Sequence, residues 1–383
     1  MAIKVHWVGP IRDSSGYANA TRNYILSILK AGKEKISLSV EGVSFESVKT
    51  AHKEDHLIAP YISGDPGALI RVVHLTPENY QRYARRGAYN IGYVAWETNQ
   101  IPPEWVYLCN QMSELWVPSD WNVNIFRNNG VSIPITKIPH VIQVPDLKTV
   151  SPLPCPGDDP SIYWFYAISQ WTTRKNFYAL LVAYLTEFTS DDPVVLSLKT
   201  YRMNTSNQEA DIIKNEIKHV KRELHLPRDK YPKILFFKRL MSGSEMDQLH
   251  SRGDCFVLPC RGEGFGIPFA EAMSFGNPTI GPNYGGSAEF MDDENSYLIP
   301  CRETPVFGMS WMSHYHGRMT WGDPSILELK KIMRHVYTHR DEAKVRGEKG
   351  RQTIEQRFSV NEIGSLVCSR LLEINNKINK VGG

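Results

Sequence analysis

Runs of β-branched and aromatic residues alternate with helical patterns along most of the chain. This alternation narrows the choice of fold, because repeated strand–helix–strand units close most readily as a parallel sheet with helices on its faces. In the first half, strand patterns fall at 3–8, 36–40, 69–74, 89–96 and 115–117. Helical patterns lie between them at 18–31, 77–85, 103–111 and 121–128, the last behind a capping Ser119 or Asp120. The rhythm breaks at 143–160, where Pro145, Pro152, Pro154, Pro156 and Pro160, with Gly157, remove too many N–H donors for regular structure. It resumes with strand patterns at 162–168, 194–198, 234–237 and 255–258 and helical patterns at 177–188, 208–224 and 245–251, the last opened by a Ser242–Glu245 capping box. Residues 325–380 are helical throughout.

Two Rossmann-like domains are therefore expected, 1–150 and 151–357, with a helix at about 358–380 packing back on the first. A length of 383 residues suits two such domains at the usual ~100–200 residues each. The net charge of +3, with 22% charged residues, is that of an ordinary globular enzyme and does not argue for nucleic acid. The longest apolar runs, 234–237 and 255–259, fall far short of the roughly 20 residues a membrane span needs. The N-terminus runs into a strand pattern without a signal-peptide core. Cys109, Cys155, Cys255, Cys260, Cys301 and Cys368 form no CxxC pair, and no His cluster has zinc spacing, so a reduced cytoplasmic chain without a metal is expected.

The segment 258–276 carries the most chemistry: strand, then Gly262, Glu263, Gly264, Phe265, Gly266, then a helix of about two turns. Pro268 suits its first position and Gly276 the residue past its end. The glycines let backbone approach a ligand, and the free N–H groups at the helix start favour an anion such as a diphosphate. Glu263 is placed in the loop and Glu271 in the first helical turn. Eight residues of helix span ~12 Å, too far for the paired carboxylates of a glycosidase at about 5–9.5 Å. One carboxylate at each end of a nucleotide sugar fits that span better.

This segment resembles the E-x7-E signature of retaining GT-B glycosyltransferases, particularly the large family-4 class, from Glu263 through Pro278 and on to Gly285, Gly286 and Glu289. The resemblance implies two Rossmann-like domains facing a central cleft, the donor in the C-terminal half and the acceptor in the N-terminal half. It implies Glu263 beside the donor sugar, the backbone at Phe265, Gly266 and Ile267 on the distal phosphate, Gly264 among the donor contacts, and Glu271 on the ribose. It also implies retention of configuration and no cofactor or metal.

A second match, Ser169 to Asn176, resembles the family's phosphate-binding Arg and Lys. Lys175 falls on the Lys, but Gln170 stands at the Arg position, and Arg174 is the candidate substitute, since a guanidinium can hold phosphate bidentately. Donor bases are often read near 238–241, which brings in Arg239. In the first half, Gly9 to Ala18 looks like the family's N-terminal glycine loop, with Gly16 at the donor. Because this loop is not GxGxxG, a nicotinamide enzyme is disfavoured. Tyr93 to Thr98 resembles the W-E-T text of a subset of these enzymes; Glu97 is the ionisable group there, placed to orient or deprotonate the acceptor hydroxyl. His74 and His140 are weaker candidates.

The expected reaction moves a sugar from a nucleotide sugar, UDP-linked before GDP-linked, to an envelope glycan or a lipid-linked sugar. The basic strip Lys214, Lys218, Lys221 and Arg222, with Arg228, Lys230 and Lys233 beyond it, reads as a solvated helix face. It leaves open a modified nucleobase in DNA or RNA as acceptor, or peripheral contact with a membrane. A sugar phosphorylase would need a lysine for pyridoxal phosphate, and a non-catalytic nucleotide-sugar-binding protein would be expected to lose Glu263, Glu271 or Lys175. Trp311, Tyr315 and Trp321 with a Gly322–Asp323–Pro324 turn read as an aromatic insertion, packed or roofing the site.

Overall fold

The structure is a computed structural model that describes residues 2–13, 15–44, 54–154, 159 and 161–381. Ser14 of the first glycine loop, Cys155, and Pro156, Gly157 and Pro160 of the proline-rich segment lie outside the described residues, as does the side chain of Arg228. The chain divides into two compact units, Met1–Gln143 with Glu355–Gly383, and Val144–Ile354.

In the first unit β1 (Ile3–Pro10), α1 (Gly16–Gly32), β2 (Ile36–Val43), α2 (Asp55–Ile58), β3 (Ile70–His74) and α3 (Tyr80–Tyr83) are followed by β4 (Tyr89–Tyr93), α4 (Pro103–Asn110), β5 (Glu114–Val117), α5 (Asp120–Asn128) and β6 (Ile135–Lys137). The strands form one parallel sheet in the order β2-β1-β3-β4-β5-β6. Ser15 caps α1 by accepting from the Ala18 N–H, and Ser119, not Asp120, caps α5 through the Asn122 N–H.

The second unit runs β7 (Tyr163–Gln170), α6 (Phe177–Glu187), β8 (Val194–Tyr201), α7 (Asn207–Glu223), β9 (Lys233–Phe237), α8 (Gly243–Arg252), β10 (Cys255–Val257), α9 (Ile267–Ser274), β11 (Thr279–Pro282) and β12 (Tyr297–Ile299). Its parallel sheet has the order β12-β11-β10-β7-β8-β9, the doubly wound order in which the winding reverses between β7 and β10. The hairpin β13 (Cys301–Pro305) and β14 (Thr320–Pro324), then α10 (Ile326–Thr338) and α11 (Arg340–Phe358), complete it.

Helix α12 (Val360–Val381) packs against α1 of the first unit, and its Ile363, Val367 and Leu371 are buried. The approach is close: a Cβ on Gly364 would meet the Ser27 carbonyl oxygen at 2.7 Å. Arg370 of α12 also reaches the fully buried Glu114 of β5 through two nitrogens, at 3.0 and 2.8 Å.

Several local expectations change. Strand β4 stops at Tyr93 instead of running to 96, because the Trp96 backbone turns to the Asn122 side chain, donating to its Oδ1 and accepting from its Nδ2, both at 2.8 Å. The helix expected at 77–85 is a 3-10 turn, Pro77–Asn79, followed by a single helical turn. Gly322, Asp323 and Pro324 form no turn but the end of β14, paired with β13 in a ribbon whose edge tolerates proline. Among the described residues no helix is long and apolar enough to cross a membrane.

Candidate functional site

In an open α/β sheet, ligands bind outside the carboxyl ends of the strands where the winding reverses. In the second unit that place lies between the loops after β7 and β10, which carry Arg174, Lys175 and Glu263. The loop after β7 is held by a Lys175 N–H to Thr172 carbonyl bond of 3.1 Å and by Trp171 stacked on Phe177 at 4.5 Å. It ends at Asn176, which adopts the left-handed region (φ 56°) and caps α6. The Arg261 N–H, in the loop after β10, donates to the Arg174 carbonyl at 2.7 Å, so the two loops are stitched together.

Lys175 Nζ donates to Glu263 Oε1, and Arg174 Nη1 lies 3.4 Å from the same oxygen while donating to the Gly262 carbonyl at 2.8 Å. Lys175 and Glu263 are only 8% and 7% exposed, so neither charge is neutralised by bulk water. Burial pushes the Glu263 carboxyl upward, but the charges of Lys175 and Arg174 outweigh it and hold the group below the usual carboxylate range. The site thus keeps an ionised carboxylate between two cations.

Backbone shape brings the ligand loop close. Gly266 (φ 99°) precedes α9, whose first N–H groups face the loop without a side-chain cap. Gly286 donates its N–H to the Glu263 carbonyl at 2.7 Å, and a Cβ there would fall 1.9 Å from the Gly264 oxygen. Helix α9 starts at Ile267, so Glu271 stands in its second turn and not its first; a role in complementing the helix dipole lapses. Glu271 is half-buried, and its charge reaches Tyr166 of β7.

Arg261 was not singled out by sequence and forms the site's main brace. Its Nη1 donates to the Thr173 carbonyl at 2.5 Å and its Nε to Asp323 of β14 at 2.8 Å, with the guanidinium over Phe307 and Trp321. Thr173 in turn donates to the Gly308 carbonyl at 2.9 Å. The hairpin is thereby fastened to the loop that carries Lys175. Trp321 is fully buried in this junction, Trp311 is half-exposed and Tyr315 partly buried. An Arg between Cys260 and Gly262 carries no pattern that would have revealed the brace.

The remaining candidates have surroundings of their own. Arg239 pairs with Glu245 at the start of α8. Gln170 donates to the Arg202 carbonyl at 2.7 Å. In the first unit Gly16 is the exposed first residue of α1. Glu97 is half-buried near Tyr17, whose hydroxyl accepts from the Ala95 N–H at 3.3 Å. His74 is fully buried, with Nδ1 3.0 Å from Thr21 Oγ1, and burial depresses its pKa strongly. His140 sits against the Tyr24 and Tyr93 hydroxyls, its pKa pushed down to about 3 by burial. On α7, Lys214 pairs with Asp211 and Lys221 lies over Tyr231. Among the described residues no group of three or more His, Cys, Asp or Glu side chains could hold a metal.

Residues 211–307, which include Glu263 and Glu271, match the family described as Glycosyl transferases group 1. Solved structures share the architecture across the chain. HepE from Anabaena, solved with UDP and glucose, aligns with a TM-score of 0.64 at 14% identity, over 97% of this chain and 100% of that one. Sucrose-phosphate synthase from Thermosynechococcus elongatus aligns at 0.67 with 13% identity, over 98% and 100%. The chain is a glycosyltransferase of GT-B fold. A glycosyltransferase from Rickettsia africae aligns at 0.65 with 15% identity, over 99% of both chains. No curated protein matches this glycosyltransferase by sequence.

Proposed function

We propose that this glycosyltransferase is of the retaining family-4 type and moves a sugar from a nucleotide sugar, UDP-linked before GDP-linked, to a hydroxyl of an envelope glycan or lipid-linked sugar, with no divalent metal. The observation that carries the reading is the buried Lys175–Glu263 pair at the winding reversal, beside the uncapped start of α9. Departure of a nucleoside diphosphate leaves charge on a phosphate oxygen. A fixed ammonium and the backbone dipoles at the start of α9 stabilise that charge without reorganising, which is the main term available to a site that performs no covalent step of its own. Glu263 orients Lys175 and lies where the donor sugar would meet it; Gly264 to Ile267 hold the distal phosphate and Glu271 takes the ribose hydroxyls. Glu97 in the first unit orients the acceptor hydroxyl.

UDP bound to HepE, a protein of the same fold, supports the choice of nucleotide. The reading is tested by calorimetric binding of UDP, GDP, ADP and their sugars to wild type and Glu271→Ala, with and without EDTA, followed by NMR of the anomeric proton in the transferred product. One nucleotide binding wild type indifferently to EDTA, weakened in Glu271→Ala, with retained configuration in the product, is the expected result. Binding that needs a divalent metal, or an inverted product, overturns it.

A further inference from the structure

Lys199 lies on β8, two residues from its carboxyl end, and is only 7% exposed. It forms no hydrogen bond or ion pair with any described residue; its one contact is with the Tyr201 ring, 5.9 Å from Nζ. Burial, and after it the charge of another cation, Arg239, pull the Lys199 pKa down. The stem is buried while the ammonium keeps access to solvent, and no carboxylate of the described residues pairs with it. An unpaired cation opening to solvent at the carboxyl end of a sheet suits a ligand that brings oxygen and negative charge.

The fold places that ligand at the nucleotide. Gln170 pairs in register with Tyr201, and Ile168 with Lys199, so Gln170 and Lys199 project from the same face of the sheet, one pleat apart on adjacent strands. This is the face that Tyr166 occupies, bonded to His250 of α8 and Asn277 after α9, and the face on which Phe269 of α9 packs against Phe256, the register partner of Tyr166. Gln170 stands where a second phosphate-binding cation is expected, and it is turned to the Arg202 carbonyl. Arg174, the candidate substitute, is turned to Gly262 and Glu263. We propose that Lys199, from the neighbouring strand, supplies the second phosphate cation that Gln170 cannot, and binds the diphosphate of the donor. Its Nζ donates to a phosphate oxygen, while Lys175 takes the other end of the diphosphate.

The assignment rests on the reading of the second unit as the nucleotide-sugar site, and the experiment separates the two. Calorimetric titration of wild type with UDP, GDP and ADP identifies the nucleotide, which is then titrated, with its parent nucleoside, into Lys199→Met, Lys199→Gln and Gln170→Arg/Lys199→Met. Loss of a charge-assisted bond weakens the diphosphate by about tenfold or more and leaves the nucleoside within about twofold. Arginine at 170 restores most of the lost affinity. The ligand-free Lys199→Met protein melts no lower than wild type, since the apolar stem is kept and no ion pair is lost. Diphosphate binding unchanged in both single variants, or a nucleoside weakened as much as the diphosphate, overturns the assignment of Lys199. Wild type that binds no nucleotide overturns the donor-site reading, and the assignment with it.

Discussion

The ammonium of Lys175 rests on the carboxylate of Glu263, and both side chains are withdrawn from solvent. The carboxyl is held ionised by its two cations, so it anchors the lysine and carries no proton to donate. Removing Glu263 strands Lys175 as an uncompensated buried charge, and removing Lys175 leaves the carboxylate only Arg174. Glu263→Gln and Lys175→Met are each expected to lower transfer by about 10²-fold or more, the scale on which preorganised charge at a leaving group acts. Initial rates with the nucleotide sugar identified by binding check this; either variant retaining more than a third of wild-type kcat contradicts the assignment.

Two glycines make opposite predictions. At Gly286 an added Cβ would overlap the Gly264 carbonyl at 1.9 Å, so Gly286→Ala must push the 262–266 loop away from its seat. At Gly16 a Cβ meets nothing within 4 Å. Gly286→Ala should abolish nucleotide binding, whereas Gly16→Ala should leave stability within about 0.5 kcal/mol of wild type. If Gly16 does serve the donor, its alanine variant loses transfer without losing stability. Thermal unfolding and nucleotide titration of both variants decide the matter.

Much of this site is legible in the sequence where the interactions are local. The glycines around Glu263, the helix stop at Gly276 and the Ser242–Glu245 capping box are set by backbone geometry within a few residues. What escapes is whatever depends on strands meeting across the chain. The β13–β14 ribbon, Cys-Arg-Glu-Thr-Pro against Thr-Trp-Gly-Asp-Pro, has neither alternation nor β-branched density, and pairing alone makes it a strand pair. Arg261 and Asp323 are 62 residues apart, and Lys199 reads as any strand lysine until the sheet shows it buried and unpaired. Glu114 looks like a surface charge before Arg370, 256 residues on, comes to meet it.

That last pair sets a stability prediction. Glu114 is fully buried and accepts from Arg370, Trp116, Thr136 and Tyr89, and these partners hold its carboxyl below the usual range against the effect of burial. Arg370→Ala leaves the carboxylate without its countercharge and should destabilise the first unit by about 3–5 kcal/mol. Adding Glu114→Gln to that variant should recover part of the loss, because a neutral amide no longer needs the guanidinium. Urea unfolding of the single and double variants gives both numbers, and a double variant no better than Arg370→Ala alone counts against this account.

Acid sensitivity follows from the buried histidines. Burial pushes His140 and His250 each down to about 3; His250 receives no countercharge from Tyr166, 2.9 Å from its Nδ1, nor from Phe275, stacked on its ring. Both stay neutral in the folded protein while the unfolded chain takes up a proton near pH 6.5, so stability is full above that pH and falls as pH drops toward the folded values. Between pH 6.5 and 5 the depressed carboxylates Glu114 and Glu263 stay ionised in the folded protein and begin to protonate in the unfolded chain only toward pH 5, so the histidines carry most of the slope. Each buried neutral histidine contributes up to about 1.4 kcal/mol per pH unit in that window. His250→Gln should reduce the slope by one such increment while lowering stability at pH 7, since the Tyr166 contact and the Phe275 stack are weakened. Denaturant midpoints at pH 7, 6 and 5 measure it, and a slope unchanged by the substitution would place the acid sensitivity elsewhere.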